Sequence, residues 1–238
     1  MRHVAAVILL FAGACSQKVY SPPSQLYSVT PLAALPIDKQ ALDIDFSTHS
    51  QIFDPPLDAG AGRLRWGVGN NTEMSVEGTA AAVRTDAAST ATRTLYTGRA
   101  GVRSNPGGGA ITFFAGAGGG FAPAAGSFVS ADGGVAIGIP NCTLVPSFQA
   151  SAYVSQPVDA RPVDVTEDPM HPTYDTPSTT VGGVLRAGLR LSLSPSACRR
   201  GEQVPWLAAG IGITKMMDAD SEAAMPGAGI GIEIPLTD

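Results

Sequence analysis

Beyond its first fourteen residues the chain has no apolar run approaching the length of about 18 residues that a membrane-spanning helix needs, so helical spanning is excluded. Charge is scarce as well. Fifteen Lys and Arg stand against 20 Asp and Glu, for a net charge of −5, and no basic cluster is interleaved with aromatics. Nucleic acid is therefore not an expected partner. With three His and three Cys, none at metal-ligand spacing, the chain offers no zinc site, and no metal or cofactor is expected. Aromatic residues amount to only 6%, whereas 28 Gly and 19 Pro are plentiful, a balance that suits many short strands and turns.

The N-terminus has the layout of a bacterial secretory signal: Arg2, an apolar core from Val4 to Phe11, and small residues before Cys15. Two processing routes stay open. Ala12-Gly13-Ala14 satisfies an A-x-A cleavage rule, while small residues before a cysteine also suit a lipoprotein signal in which Cys15 is acylated, although Ala12 stands where Leu is usual. Residues 1–14 are thus assigned to a signal peptide and 15–39 to a tether broken by Pro22, Pro23, Pro31 and Pro36. Residues 40–238 form the expected barrel domain.

Alternation carries the fold assignment. Between Val181 and Leu193, Gly183, Leu185, Ala187, Leu189, Leu191 and Leu193 share one side of an extended chain, and Arg186, Gly188, Arg190 and Ser192 share the other. An apolar face this uniform, backed by arginines, points to lipid outside. Ten strand candidates follow: 40–47, 63–69, 73–83, 93–103, 109–119, 127–139, 143–155, 181–193, 204–214 and 227–236. The expected fold is all-β, an up-and-down antiparallel barrel of 8 to 10 strands, with short turns and longer connections segregating to opposite ends. At the Asn70-Asn71 hairpin, a three-residue loop would place Trp66 opposite Val76 and Arg65 opposite Glu77.

On these faces the lumen receives acid, base, acid and base from successive strands: Asp43 and Asp45, Arg63 and Arg65, Glu73 and Glu77, then Arg93, Arg99 and Arg103. Arg186, Arg190 and Glu233 join them. Such charges either line a pore or close the interior through cross-strand pairs, and narrow barrels are usually filled by side chains. The inward glycines Gly116, Gly118, Gly138, Gly210 and Gly212 either leave room or accommodate bulky neighbours.

Cys142 and Cys198 fall in loops on the same side and, in an oxidising compartment, either pair or remain separate thiols. His49 and His171 are assigned to external loops, and adjacency to Ser50 or Thr173 does not amount to a catalytic arrangement. Asp164, Glu167, Asp168 and Asp175 have no calcium-loop spacing and read as a solvated acidic loop. The glycine runs 107–109 and 118–120 lack a following Gly-Lys-Ser or Gly-Lys-Thr and are expected to be turns and bends.

Through Arg63 to Gly78, Gly182 to Leu193 and Gly227 to Ile234, the chain resembles the small porin-like outer-membrane β-barrel proteins of Gram-negative bacteria. It departs from them in lacking a terminal aromatic residue and in having few Trp and Tyr for interfacial girdles. The resemblance implies a monomer in outer-membrane lipid, with a structural or small-solute pore role and no catalysis. The alternative is a lipid-anchored periplasmic protein of lipocalin-like or sandwich type, with its apolar faces turned inward around a hydrophobic ligand.

Overall fold

A computed structural model describes residues 19–25, 34–49, 57–83, 93–164 and 174–237. Ten long strands close into a single ring. They are β1 (Gln40–His49), β2 (Leu57–Gly69), β3 (Thr72–Val83), β4 (Arg93–Ser104), β5 (Ile111–Ala122), β6 (Gly126–Gly138), β7 (Leu144–Ala160), β10 (Thr180–Ser192), β11 (Trp206–Met217) and β12 (Glu222–Pro235). Each pairs antiparallel with its neighbours along the chain, and β1 pairs with β12 to close the barrel. Closure leaves no unpaired sheet edge, which a strand structure in lipid requires. A two-stranded ribbon, β8 (Val163–Asp164) and β9 (Tyr174–Asp175), decorates the β7–β10 connection.

Period-two alternation gives each barrel strand an outer, mainly apolar row and an inner row that carries charge on β1 to β4, β6, β10 and β12 and is mainly glycine, alanine and large apolar residues on β5 and β11. Phe46, Ile211 and Ile230 are 63%, 66% and 64% exposed on the outside, whereas Arg63 and Arg65 are 1% exposed on the inside. The barrel is therefore built inside out relative to a soluble domain: its interior is held by charge, and apolar clusters are small, such as Ala59, Ala81, Leu95 and Phe128 near one rim. This polarity corrects the lipocalin-like alternative, because the inner wall offers ion pairs where a hydrophobic ligand would need apolar side chains.

The β2–β3 hairpin differs from its expected register. Trp66 pairs with Met74 and Arg65 with Ser75, and Glu77 faces Arg63. The turn is the tight Asn70-Asn71 pair, with Asn71 at φ 62°, and a bulge between Gly67 and Gly69 inserts the extra residue. A bulge restores the match of apolar faces just as a longer loop would, so the faces were assigned correctly and the partners were displaced by two residues.

Two ends result. The Asn70 end carries connections 70–71, 105–110, 139–143 and 193–205; the Asp218 end carries 50–56, 84–92, 123–125, 161–179 and 218–221. The expected segregation of loop lengths is incomplete, because β5, β11 and β12 extend further than their patterns suggested and leave only tight turns at 123–125 and 218–221. The run 118–120 lies within β5 instead of a bend, while 107–108 forms a turn with Gly107 and Gly108 at φ 73° and 63°. Gly118 is required in its strand: a Cβ there would sit 2.1 Å from the Gly98 carbonyl oxygen.

Candidate functional site

Arg65 is the hub of the lumen near the Asn70 end. Its Nε and Nη2 donate to Glu73 Oε1 and Oε2 at 3.0 and 2.8 Å, and Nη1 reaches Glu233 Oε2 at 2.6 Å and Asp43 Oδ1 at 3.4 Å. One guanidinium thus ties β2 to β1, β3 and β12. The network extends outward from it: Arg63 Nε donates to Asp43 Oδ2 at 2.9 Å, Arg103 Nη1 lies 3.2 Å from Glu73 Oε1, and Arg190 Nη2 donates to Glu233 Oε2 at 2.5 Å. Arg190 also lies 4.9 Å from the centroid of Trp206, which faces inward and so belongs to the lumen instead of an interfacial girdle. Buried charges stripped of water are tolerable only when paired and hydrogen bonded in this way.

Deeper in, Arg99 grips Asp132 through two bonds of 2.7 Å. Asp132 was not among the expected lumen charges, yet its strand carried the signal: Ser127, Val129, Ala131, Gly133 and Val135 fill the opposite row, leaving the even positions to the interior. Asp45, Glu77 and Arg186 are buried in the same region. The inward glycines accommodate large neighbours: a Cβ at Gly116 would fall 2.3 Å from the Arg99 guanidinium, and one at Gly212 would fall 2.7 Å from Arg186 Cγ. His49 ends β1 facing inward, with Nε2 3.1 Å from Ser47 Oγ, so it is a strand residue and not a loop one. His171, Ser50, Thr173, Glu167 and Asp168 lie outside the described residues, as does Cys15. Among the described residues no group of His, Cys, Asp and Glu is placed to hold a metal ion.

The lumen also contains part of the chain assigned to a tether. Ser21 N donates to Thr180 Oγ1 at 3.0 Å, Ser24 N to Ser130 Oγ at 3.0 Å, Thr97 Oγ1 to Ser24 O at 3.1 Å, and Arg186 Nη2 to Gln25 O at 3.4 Å. Those partners are inward residues of β10, β6 and β4, and a single segment can reach all three only from within the ring. Ser24 is fully buried. At the Asn70 end the same stretch reappears, with Leu35 N donating to Glu73 Oε2 at 2.9 Å and Asp38 N to Gly67 O at 3.3 Å before β1 begins. Residues 21–25 and Leu35 therefore fill the lumen, and Pro36, Ile37 and Asp38 form an exposed turn at the rim that leads into β1. Pro22, Pro23 and Pro36 have no backbone N–H to donate to a strand ladder, but nothing in their spacing marks an interior position.

Cys142 and Cys198 are joined by a disulfide at the Asn70 end, linking the β6–β7 turn to the helical turn Pro195–Arg199 with a Cα–Cα separation of 5.5 Å. At the opposite end Asp218 organises the β11–β12 turn. Its Oδ1 accepts from the backbone N–H groups of Asp220 and Ser221 at 2.9 and 2.7 Å, and its Oδ2 accepts from Ser178 Oγ at 3.0 Å. Burial opposes the charge, but these hydrogen bonds outweigh it and hold the carboxyl down at about 2.

No protein-family model and no curated protein matches the sequence. Among solved structures the chain is similar to the N-terminal β-barrel domain of Pseudomonas aeruginosa OprF, at 9% identity and a TM-score of 0.37, covering 82% of this chain and 97% of that one. It is also similar to Neisserial surface protein A, at 9% identity and a TM-score of 0.34, covering 82% and 95% of the two chains.

Proposed function

We propose that this protein is a monomeric outer-membrane barrel with a structural role, closed in its resting state by its own N-terminal segment and ion-pair network. The observation that carries this reading is the outer surface. Formal charge on the outward rows of the barrel is confined, among the described residues, to the Asp218 rim, where Asp58 and the overhang of β7 lie and Lys215 pairs with Glu222 at 2.8 Å. Between the two rims the wall is apolar or glycine, with Gln40, Thr72 and Ser104 on the outward rows at the Asn70 end. Phe46, Tyr96 and Phe121 lie on one cross-strand row near this rim, while Trp66, Phe113 and Phe148 lie toward the Asn70 end. Aromatic side chains near both rims supply the interfacial belts that the scarcity of Trp and Tyr had argued against. The start of β1, the end of β12 and the tight Asn70-Asn71 turn share one end, which favours a periplasmic Asn70 end and an external Asp218 end, and an oxidising periplasm suits the Cys142–Cys198 bridge.

A small-solute pore is the less favoured role because paired charges, buried arginines and a threaded segment occupy the lumen. The test uses the chain lacking the Cys15 side chain, recovered from membranes, run heated and unheated on a detergent gel, and reconstituted in planar bilayers. A heat-modifiable species without steady conductance is expected. A soluble periplasmic species would overturn the membrane reading, and steady conductance of the intact chain would overturn closure.

A further inference from the structure

The threaded segment has a direction. Moving along the chain, Val19 N donates to Asp175 Oδ2 at 2.6 Å and Tyr20 Oη lies 2.8 Å from Ser221 Oγ, both at the Asp218 end. Ser24 then meets Thr97 and Ser130 inside the wall, Leu35 meets Glu73 near the opposite rim, and the chain turns into β1 at Gln40. Fully extended, the stretch from Tyr20 to Leu35 reaches about 50 Å, enough to traverse a hydrocarbon core of about 30 Å. The C-terminal strand instead finishes at the Asn70 end, where Leu236 N donates to Gln40 O at 3.0 Å.

We propose that the barrel passes its own N-terminus through its lumen, so that the mature N-terminus stands at the external face while the C-terminus stands in the periplasm. This rests on the outer-membrane reading above. The reach from Cys15 to Val19 is at most about 14 Å, well short of the bilayer thickness, so an acyl group on Cys15 would enter the outer leaflet. A lipid at that position is an anchor on the cell surface and not a periplasmic tether, and the barrel is the conduit that delivers it.

The experiment uses the full chain in a Gram-negative host, with one epitope inserted between Lys18 and Val19, a second within 165–173, and a third after Asp238, each in a separate variant. Antibody is expected to label the first two on intact cells and the third only after permeabilisation. In parallel, Ser24→Cys combined with Ser130→Cys, whose hydroxyls lie 2.8 Å apart, is expected to yield a linked pair of peptides from unreduced protein. An N-terminal epitope reached only after permeabilisation, with the 165–173 epitope labelled on intact cells, overturns the threading direction and leaves the barrel reading standing. Absence of the cross-link in folded protein overturns threading itself. If the 165–173 epitope is also hidden on intact cells, the outer-membrane orientation fails and takes this proposal with it.

Discussion

Arg65 and Glu73 share two hydrogen bonds although they are not direct cross-strand partners: Arg65 faces Ser75, Glu73 faces Gly67, and the bulge before Gly69 brings the carboxylate onto the guanidinium. Because the same guanidinium also holds Asp43 and Glu233, its removal leaves three carboxylates short of a partner. Arg65→Ala is expected to cost about 3 to 5 kcal/mol, and Arg65→Lys to recover only part of it because an ammonium cannot reproduce the bidentate fork. Urea titration followed by heat-modifiability measures this. Costs below about 1 kcal/mol would show that the hub is not what secures the lumen.

Charge on the outer wall should be penalised according to depth. Ile211 sits midway along β11, level with Ala187 and Ala228, whereas Ile232 lies close to the Asn70 rim. Ile211→Arg is expected to block assembly at a cost of about 2 to 4 kcal/mol, with Ile232→Arg milder. Assembly yield in lipid vesicles reads the difference, and equal tolerance of both would mean that this face does not meet lipid.

Glycines on the two faces should respond oppositely. At Gly116 a methyl group collides with the Arg99 guanidinium, which Asp132 pins, so Gly116→Ala is expected to lose about 1 to 3 kcal/mol through overpacking. At Gly78, on the outer face, nothing lies within 4 Å of the added carbon, and Gly78→Ala should be neutral or slightly stabilising. Unfolding midpoints of the two variants separate a packed lumen from a water-filled one, in which Gly116→Ala would also be neutral.

The Cys142–Cys198 bridge spans 56 residues of sequence, enclosing β7 and β10. Replacing both cysteines with serine is expected to lower stability by about 2 to 4 kcal/mol without altering the barrel, since the bond acts chiefly on the unfolded chain. Unreduced and reduced samples of the native protein should show the same difference in urea midpoint.

The β11–β12 turn should be acid-labile. The Asp218 carboxyl titrates at about 2 in the folded turn against an ordinary 3.8, so its contribution is fully present above pH 3.8 and is lost as the pH falls through 2. Protection of the Asp220 and Ser221 amides, corrected for intrinsic exchange, is expected to fall over that window, to be low at every pH in Asp218→Ala, which lacks the acceptor, and to be independent of pH over that window in Asp218→Asn.

Legibility followed the range of the interactions. Which side of each strand faces outward is written every second residue, and Asp43, Arg63, Glu73, Arg99 and Arg190 could be set on the inner face because a one-residue slip would have exposed them. The pairing of Arg65 with Glu73 could not be read, because a bulge and a longer loop satisfy the same alternation.

By itself, the sequence determined an antiparallel barrel with apolar rows outside and alternating acidic and basic strands within, since a period of two is a local property of the chain. Tertiary structure alone decided that ten strands close through β1 and β12, that Asp132 is the partner of Arg99, and that residues 21–25 lie inside the ring. Ser24 meets Thr97 and Ser130 across 73 and 106 residues of chain, and no local pattern encodes a contact at that distance. A proline-broken polar segment has the same composition in a linker as in a lumen; what distinguishes them is the unsatisfied polar wall that closure of the barrel creates around it.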